Sequence, residues 1–276
     1  MRWPDTLTRP IGLLKRAPYE LRLVYLLKAL DSYGYFALSE VFTTYFGEFG
    51  VSDITAGTLY GTWGMLITAW GVVTGFAIDA MGVRQSLIAC YVLQIFARLV
   101  LAFTTNKTSA IVTLFTVQAL ATSWGAPVMT IAIKRLSVTN EDRVVSFGLF
   151  YSTMNVAALL SGLAIDLLRL GAPSDTYGYL GVTTPIRGVV LSTVVSSAFA
   201  LVVATKFHRV TAHTVRRSQA ESFDGKDTTV IAASKKVSSF LQTVKVLSAS
   251  KSFWQFLTLG LFTVNLKQVF RHLDAT

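Results

Sequence analysis

The chain has 276 residues, of which 52% are hydrophobic and 14% charged, and its formal net charge is +10. A soluble domain carries about 25% charged residues, so this composition excludes an ordinary water-soluble globular protein and turns much of the surface toward hydrocarbon. The basic balance would indicate a nucleic-acid partner only on a polar face; here Lys and Arg fall mostly between apolar runs, and no nucleic-acid partner is expected.

Residues 1–20 contain Arg2, Pro4, Arg9, Pro10, Lys15, Arg16 and Pro18 but no apolar stretch before a cleavage site, so they read as a cytosolic tail rather than a signal peptide. Six apolar segments follow at 21–46, 55–79, 86–105, 109–133, 144–168 and 186–206. Each is near or above the ~20 residues that a spanning helix needs, and together they predict a six-helix bundle over 21–206. Residues 207–251 form a basic loop. Within it Val237, Phe240, Leu241 and Val244 keep helical spacing beside Lys235, Lys236 and Lys245, which predicts an interfacial amphipathic helix. A seventh apolar run opens at Phe253, so residues 252–276 read as a seventh transmembrane helix cut short.

Positive charge sorts the connections. The amino tail, the second-to-third link (Arg84), the fourth-to-fifth link (Lys134, Arg135, Arg143) and the basic loop hold most of it; the alternate links hold Lys107, Arg169 and Arg187. Lys/Arg-rich loops stay cytoplasmic. The expectation is a multi-pass membrane protein with its amino terminus in the cytoplasm, in a membrane that the sequence does not identify. Asn106-Lys107-Thr108 is a glycosylation sequon in a short outer link.

The segments repeat. The second ends Gly75-Phe76-Ala77-Ile78-Asp79 and the fifth ends Gly162-Leu163-Ala164-Ile165-Asp166; the first holds Ser32-Tyr33-Gly34 and the fourth Ser123-Trp124-Gly125. Three is odd, so the second trio enters the bilayer inverted relative to the first. Gly57, Gly61, Gly64, Thr68, Gly71 and Gly75 make a small-residue ridge along segment two, of the kind that lets helices pack closely in lipid.

The stretch Gly75-Phe76-Ala77-Ile78-Asp79-Ala80-Met81-Gly82-Val83-Arg84 resembles the signature between helices two and three of the major facilitator superfamily, Gly-x-Leu-Ala-Asp-Arg-x-Gly-Arg-Lys/Arg. Gly75, Asp79, Gly82 and Arg84 match; Ala80 and Val83 replace two basic positions. The resemblance, over about residues 20–276, implies an all-α integral membrane fold: a six-helix bundle of inverted three-plus-three repeats, half of a twelve-helix transporter, plus a partial seventh helix. It implies that Gly75, Asp79, Gly82 and Arg84 belong to a cytoplasmic gate and that a carboxy-terminal half is missing. Phe150-Tyr151-Ser152-Thr153-Met154-Asn155 also resembles the fifth helix of proton-coupled peptide transporters, whereas Lys28-Ala29-Leu30-Asp31-Ser32 stands where those carry Glu-x-x-Glu-Arg.

Charges inside a span cost about 2.5–3.5 kcal/mol each on insertion scales and so mark candidate pathway residues. Lys28, Asp31, Ser32, Tyr35 and Ser39 share one face of the first segment at ~100° per residue. Lys28 and Asp31, three apart, are placed to pair; Asp31 is the candidate proton or cation site. Glu40 lies off that stripe. Arg98 is a lone cation in the third segment, a partner for Asp31 or Glu40 or for an anionic solute. Gln118, Trp124, Tyr151 and Asn155 are further cavity candidates, and hydrogen bonding between helices is their alternative role. The single Cys90 and the histidines His208, His213 and His272 make no metal site, and there is no Gly-x-x-x-x-Gly-Lys loop. No cofactor and no enzymatic activity are expected. The reading is secondary transport of a small polar solute by alternating access, with the proton as the candidate coupling ion of a symporter, by a fragment of a longer protein. The competing class is a non-transporting receptor or scaffold with helical spans.

Overall fold

A computed structural model describes residues 18–137, 140–170 and 184–207. The tail before residue 18, most of the basic loop with its expected interfacial helix, and the seventh apolar segment lie outside the described residues. Among the described residues every regular element is helical: α1 (Tyr19–Glu40), α2 (Phe42–Gly47), α3 (Asp53–Met81), α4 (Val83–Phe103), α5 (Lys107–Leu136), α6 (Asn140–Leu170) and α7 (Pro185–Thr205). Five of them, α3 to α7, are long and apolar enough to cross a membrane. Helix α1, with 22 residues, has the length but carries Lys28, Asp31 and flanking charges.

Local chemistry sets the ends. Ser52 Oγ accepts from the Thr55 amide, Asn106 Oδ1 from the Thr108 amide at 2.8 Å, and Thr184 Oγ1 from the Arg187 amide, so α3, α5 and α7 start on side-chain caps. The sequon asparagine is thus a cap. Gly82, at φ 78°, ends α3 and starts α4 in a conformation that glycine tolerates and other residues rarely adopt.

Two features depart from the expected segments. The first segment is interrupted at Val41, whose ψ of 1° leaves the helical range. Beyond it Phe42, Tyr45 and Phe46 are buried in an aromatic cluster with Phe49, Tyr60 and Trp63. The fourth segment contains a π-helical turn, Leu114–Gln118.

The packing follows the repeat. Helix α1 packs on α6 and α7; its counterpart α5 packs on α3 and α4. Two further extensive pairs, α4 with α7 and α1 with α5, join the two trios through corresponding helices. Exchange of α1 with α5, α3 with α6 and α4 with α7 maps these main contacts onto one another, as inverted trios require.

Two apolar clusters fill the bundle. One gathers Leu21 to Leu27 of α1, Val83 to Tyr91 of α4, Trp124 to Ile133 of α5 and Ala200 to Phe207 around α7. The other gathers Ala37 to Phe46, Leu101 and Ala102, Ala110 to Ala119, and Val189 and Val190. Between them the middle turns of α1, α4 and α7 are polar, and that layer is the candidate site.

Candidate functional site

Helical spacing builds the layer. On α4, Cys90, Gln94 and Arg98 recur every four residues and therefore share one face; all three are buried. On α7, Thr193, Ser196 and Ser197 turn inward and are buried as well. Helix α1 contributes Lys28, Asp31 and Ser32. The layer lies within spans, where each uncompensated charge is costly, so its partners decide what it does.

Asp31 is half-buried, and its Oδ1 accepts a hydrogen bond from Gln94 Nε2 at 3.0 Å. The same Nε2 lies 3.5 Å from Cys90 Sγ, and the Cys90 thiol donates to the Ala121 carbonyl at 3.3 Å. Gln94 Oε1 is buried with no hydrogen-bond partner. Arg98, 1% exposed, donates from Nη1 to the Thr193 carbonyl at 3.1 Å and to Ser197 Oγ. Ser197 donates in turn to the Thr193 carbonyl at 2.8 Å, and Ser196 donates to the Leu30 carbonyl at 2.8 Å. The Lys28 ammonium sits 4.6 Å from the centroid of the Phe150 ring of α6, a cation–π contact.

Two glycines make room for these charges. A Cβ at Gly34 would overlap the Arg98 guanidinium, and one at Gly125 would stand 3.2 Å from Asp31 Oδ1. Gly34 and Gly125 are the two glycines that the Ser-aromatic-Gly repeat aligns. In each trio the glycine of the leading helix admits a charged side chain from a neighbouring helix.

The expected residues divide. Lys28, Asp31 and Arg98 come together in the layer. Lys28 and Asp31 are not within contact-pair distance: the ammonium turns to Phe150 and the carboxylate to Gln94. Arg98 binds α7 rather than Glu40. Glu40 is exposed at the end of α1, with its carboxylate toward Gly162 of α6. Tyr35 stacks on Trp63, with centroids 5.8 Å apart. Gln118 is buried in the π turn and donates to Thr122 Oγ1 at 3.2 Å. Trp124 is buried in the first apolar cluster. Tyr151 and Asn155 are exposed side by side on α6.

At the short α3–α4 connection, Gly82 takes the positive φ and Arg84 Nη2 donates to the Thr205 carbonyl at 3.0 Å, closing the end of α7. Asp79 is exposed, and nothing stands within 4 Å of a Cβ placed at Gly75.

Sequence reasoning missed Gln94, whose only signal was its place midway between Cys90 and Arg98. It also missed Arg187. That guanidinium donates to Glu48 Oε2 at 3.0 Å and to the Ala102 and Thr104 carbonyls, and packs over Phe49. With Thr184 Oγ1 donating to Glu48 Oε1 at 2.6 Å, it staples the far ends of α2, α4 and α7. No local pattern announces a pair so far apart in sequence.

A family model described as Major Facilitator Superfamily matches residues 24–270. No curated protein matches the chain. Among solved structures, the chain is similar to the peptide transporter POT in complex with sulfate, at 15% identity and a TM-score of 0.59, over 84% of this chain and 44% of that one. It is similar to a POT family transporter in complex with 5-aminolevulinic acid at 16% identity and a TM-score of 0.60, over 91% and 47%. A bacterial homologue of the human drug peptide transporters matches at 13% identity and a TM-score of 0.59, over 92% and 55%. The chain spans about half the length of these structures, and the likeness is one of fold.

Proposed function

Because the chain belongs to the Major Facilitator Superfamily and is a multi-pass membrane protein, we propose that it forms the amino-terminal half of a secondary transporter that moves a small polar solute by alternating access. Asp31 is proposed as the coupling site and the proton as the coupling ion. One observation carries the reading: an acid sits at mid-span in a polar layer between two apolar clusters. A carboxyl group at that depth is expensive and needs a reason to be there.

A second bundle completes the proposal. Helices α3 and α6 expose Met65, Val72, Val73 and Phe76, and Tyr151, Leu159 and Leu163. Added Cβ atoms at Gly57, Gly64, Gly71 and Gly75 meet nothing within 4 Å, so the small-residue ridge is open to another helix. The positive-inside bias supports a cytoplasmic amino terminus. The gate role of Gly75, Asp79, Gly82 and Arg84, the wall role of Tyr35, Glu40, Gln118, Trp124, Tyr151 and Asn155, and the missing half all belong to this proposal. The transporter neighbours of the fold make a dipeptide and 5-aminolevulinic acid the first solutes to try.

The test is uptake of those labelled solutes under an inward proton gradient into proteoliposomes that hold the chain together with the second bundle it is proposed to require. Accumulation that falls at least about tenfold in Asp31→Asn, the factor that 1.4 kcal/mol represents, supports the reading. Undiminished gradient-driven accumulation by the variant removes Asp31 from it. A protein that binds one of these solutes and moves none would be a receptor.

A further inference from the structure

The Asp31–Gln94 contact leaves an imbalance. Gln94 is 1% exposed; its Nε2 serves Asp31 Oδ1 at 3.0 Å, and its Oε1 is buried without a partner. A buried acceptor left unmade costs about 1–3 kcal/mol, and a leucine would fill the volume without that cost. An aliphatic residue would leave Asp31 without its donor, and a lysine would add a third cation beside Lys28 and Arg98. A primary amide is different in kind, since it carries donors at one end and an acceptor at the other.

We propose that Gln94 is the positioning residue that allows Asp31 to hold and release a proton, by presenting its N–H to the ionised carboxylate and, after rotation of the amide plane, its carbonyl oxygen to the protonated carboxyl. This rests on the reading of Asp31 as the coupling site. In the ionised state, Nε2 donates to Oδ1, as the structure has it. When a proton binds Asp31 at Oδ1, that oxygen becomes an O–H donor and the Nε2 contact turns donor against donor; a proton on Oδ2 leaves Oδ1 an acceptor and the amide where it is. Half a turn about the terminal torsion of Gln94, which is broad and roughly two-fold, brings Oε1 to Asp31. The orphaned acceptor then gains a partner. Cys90 Sγ accepts from Nε2 at 3.5 Å while its own hydrogen goes to the Ala121 carbonyl; a thiol sulfur is a weak acceptor, so the turn gives up only that long contact. Proton release reverses the rotation, and no bond other than O–H forms or breaks.

The cations around Asp31 are held elsewhere. Lys28 on its own helix is held over Phe150, Arg98 on α4 is tied to α7, and Cys90 and Tyr91 are buried on α4. Helix α5 presents Gly125, and the middle turns of α3, α5, α6 and α7 carry no charged residue. Among these neighbours Gln94 is the one hydrogen-bonded to the Asp31 carboxylate.

The test uses the proton itself as the probe. Acid-minus-neutral infrared difference spectra are recorded on the reconstituted chain, unlabelled and with ¹³C-labelled glutamine. The expected spectrum has a protonated-carboxyl band absent from Asp31→Asn, with a glutamine side-chain amide band that shifts with the label and is lost in Gln94→Leu; in Gln94→Asn an amide band remains that no longer shifts with the label. An Asp31 band with no label-sensitive amide change overturns the proposal and leaves Asp31 as the proton site. The absence of any Asp31 band overturns both. Because the labelled wild type carries the decisive signal, misfolding of a variant does not rescue the idea.

Discussion

Gly34 and Gly125 are small because charged groups pass over them, not because the backbone turns there. A methyl group at Gly34 would push Arg98 off Thr193 and Ser197, and overpacking of this kind costs about 1–3 kcal/mol. Gly148 has open space around it, and alanine there gains up to about 1 kcal/mol of helix propensity. Thermal unfolding in detergent is expected to drop for Gly34→Ala and to hold or rise for Gly148→Ala; equal behaviour would show that the Arg98 slot is not tight. The aligned Ser-aromatic-Gly triplets made these two glycines visible in the sequence as a repeat. Their purpose was not visible, because it depends on Arg98 and Asp31 arriving from other helices. Gln94 was illegible for the same reason: a lone glutamine in an apolar run gains meaning only from the side chains it meets.

At the scale of the element, α5 shows how a membrane helix tolerates proline. Pro127 has no N–H, so the Ser123 carbonyl one turn earlier lacks its helical donor. Thr74 of α3 is 1% exposed, and its hydroxyl, 3.1 Å from the Gly71 carbonyl of its own helix, also lies 3.5 Å from that carbonyl and is shared between the two. A freed carbonyl in hydrocarbon needs such a partner. Thr74→Val is therefore expected to destabilise the protein by about 1 kcal/mol and to cost much less in a Pro127→Ala background, where the helix bonds its own carbonyl. A double-mutant cycle of unfolding free energies measures this, and equal losses in both backgrounds would contradict it. The existence and length of the spanning helices were legible, because hydrocarbon thickness demands about 20 apolar residues. The interruption at Val41 and the π turn at Leu114–Gln118 were not: neither coincides with a glycine or proline, so nothing local marks them.

For the molecule as a whole, two apolar clusters clamp a polar layer, and the Glu48–Arg187 pair ties three helices at one end. The described helices are thereby tied into one packed body, as the proposed alternating access would require of it. The inverted architecture was readable from Gly75–Asp79 against Gly162–Asp166 because both trios solve one packing problem. The solute was not readable, since α1 and α5 offer one wall and the identity of a cargo depends on every wall.

The most direct measurement is sidedness. Lys107 and Lys206 are separated by α5, α6 and α7, three crossings. Single substitutions Lys107→Cys and Lys206→Cys are labelled with an impermeant maleimide in sealed vesicles, with the buried Cys90 out of reach. One position should react in intact vesicles and the other only after permeabilisation. Both reacting from the same side would contradict the inverted trios and, with them, the placement of Asp31 at mid-membrane.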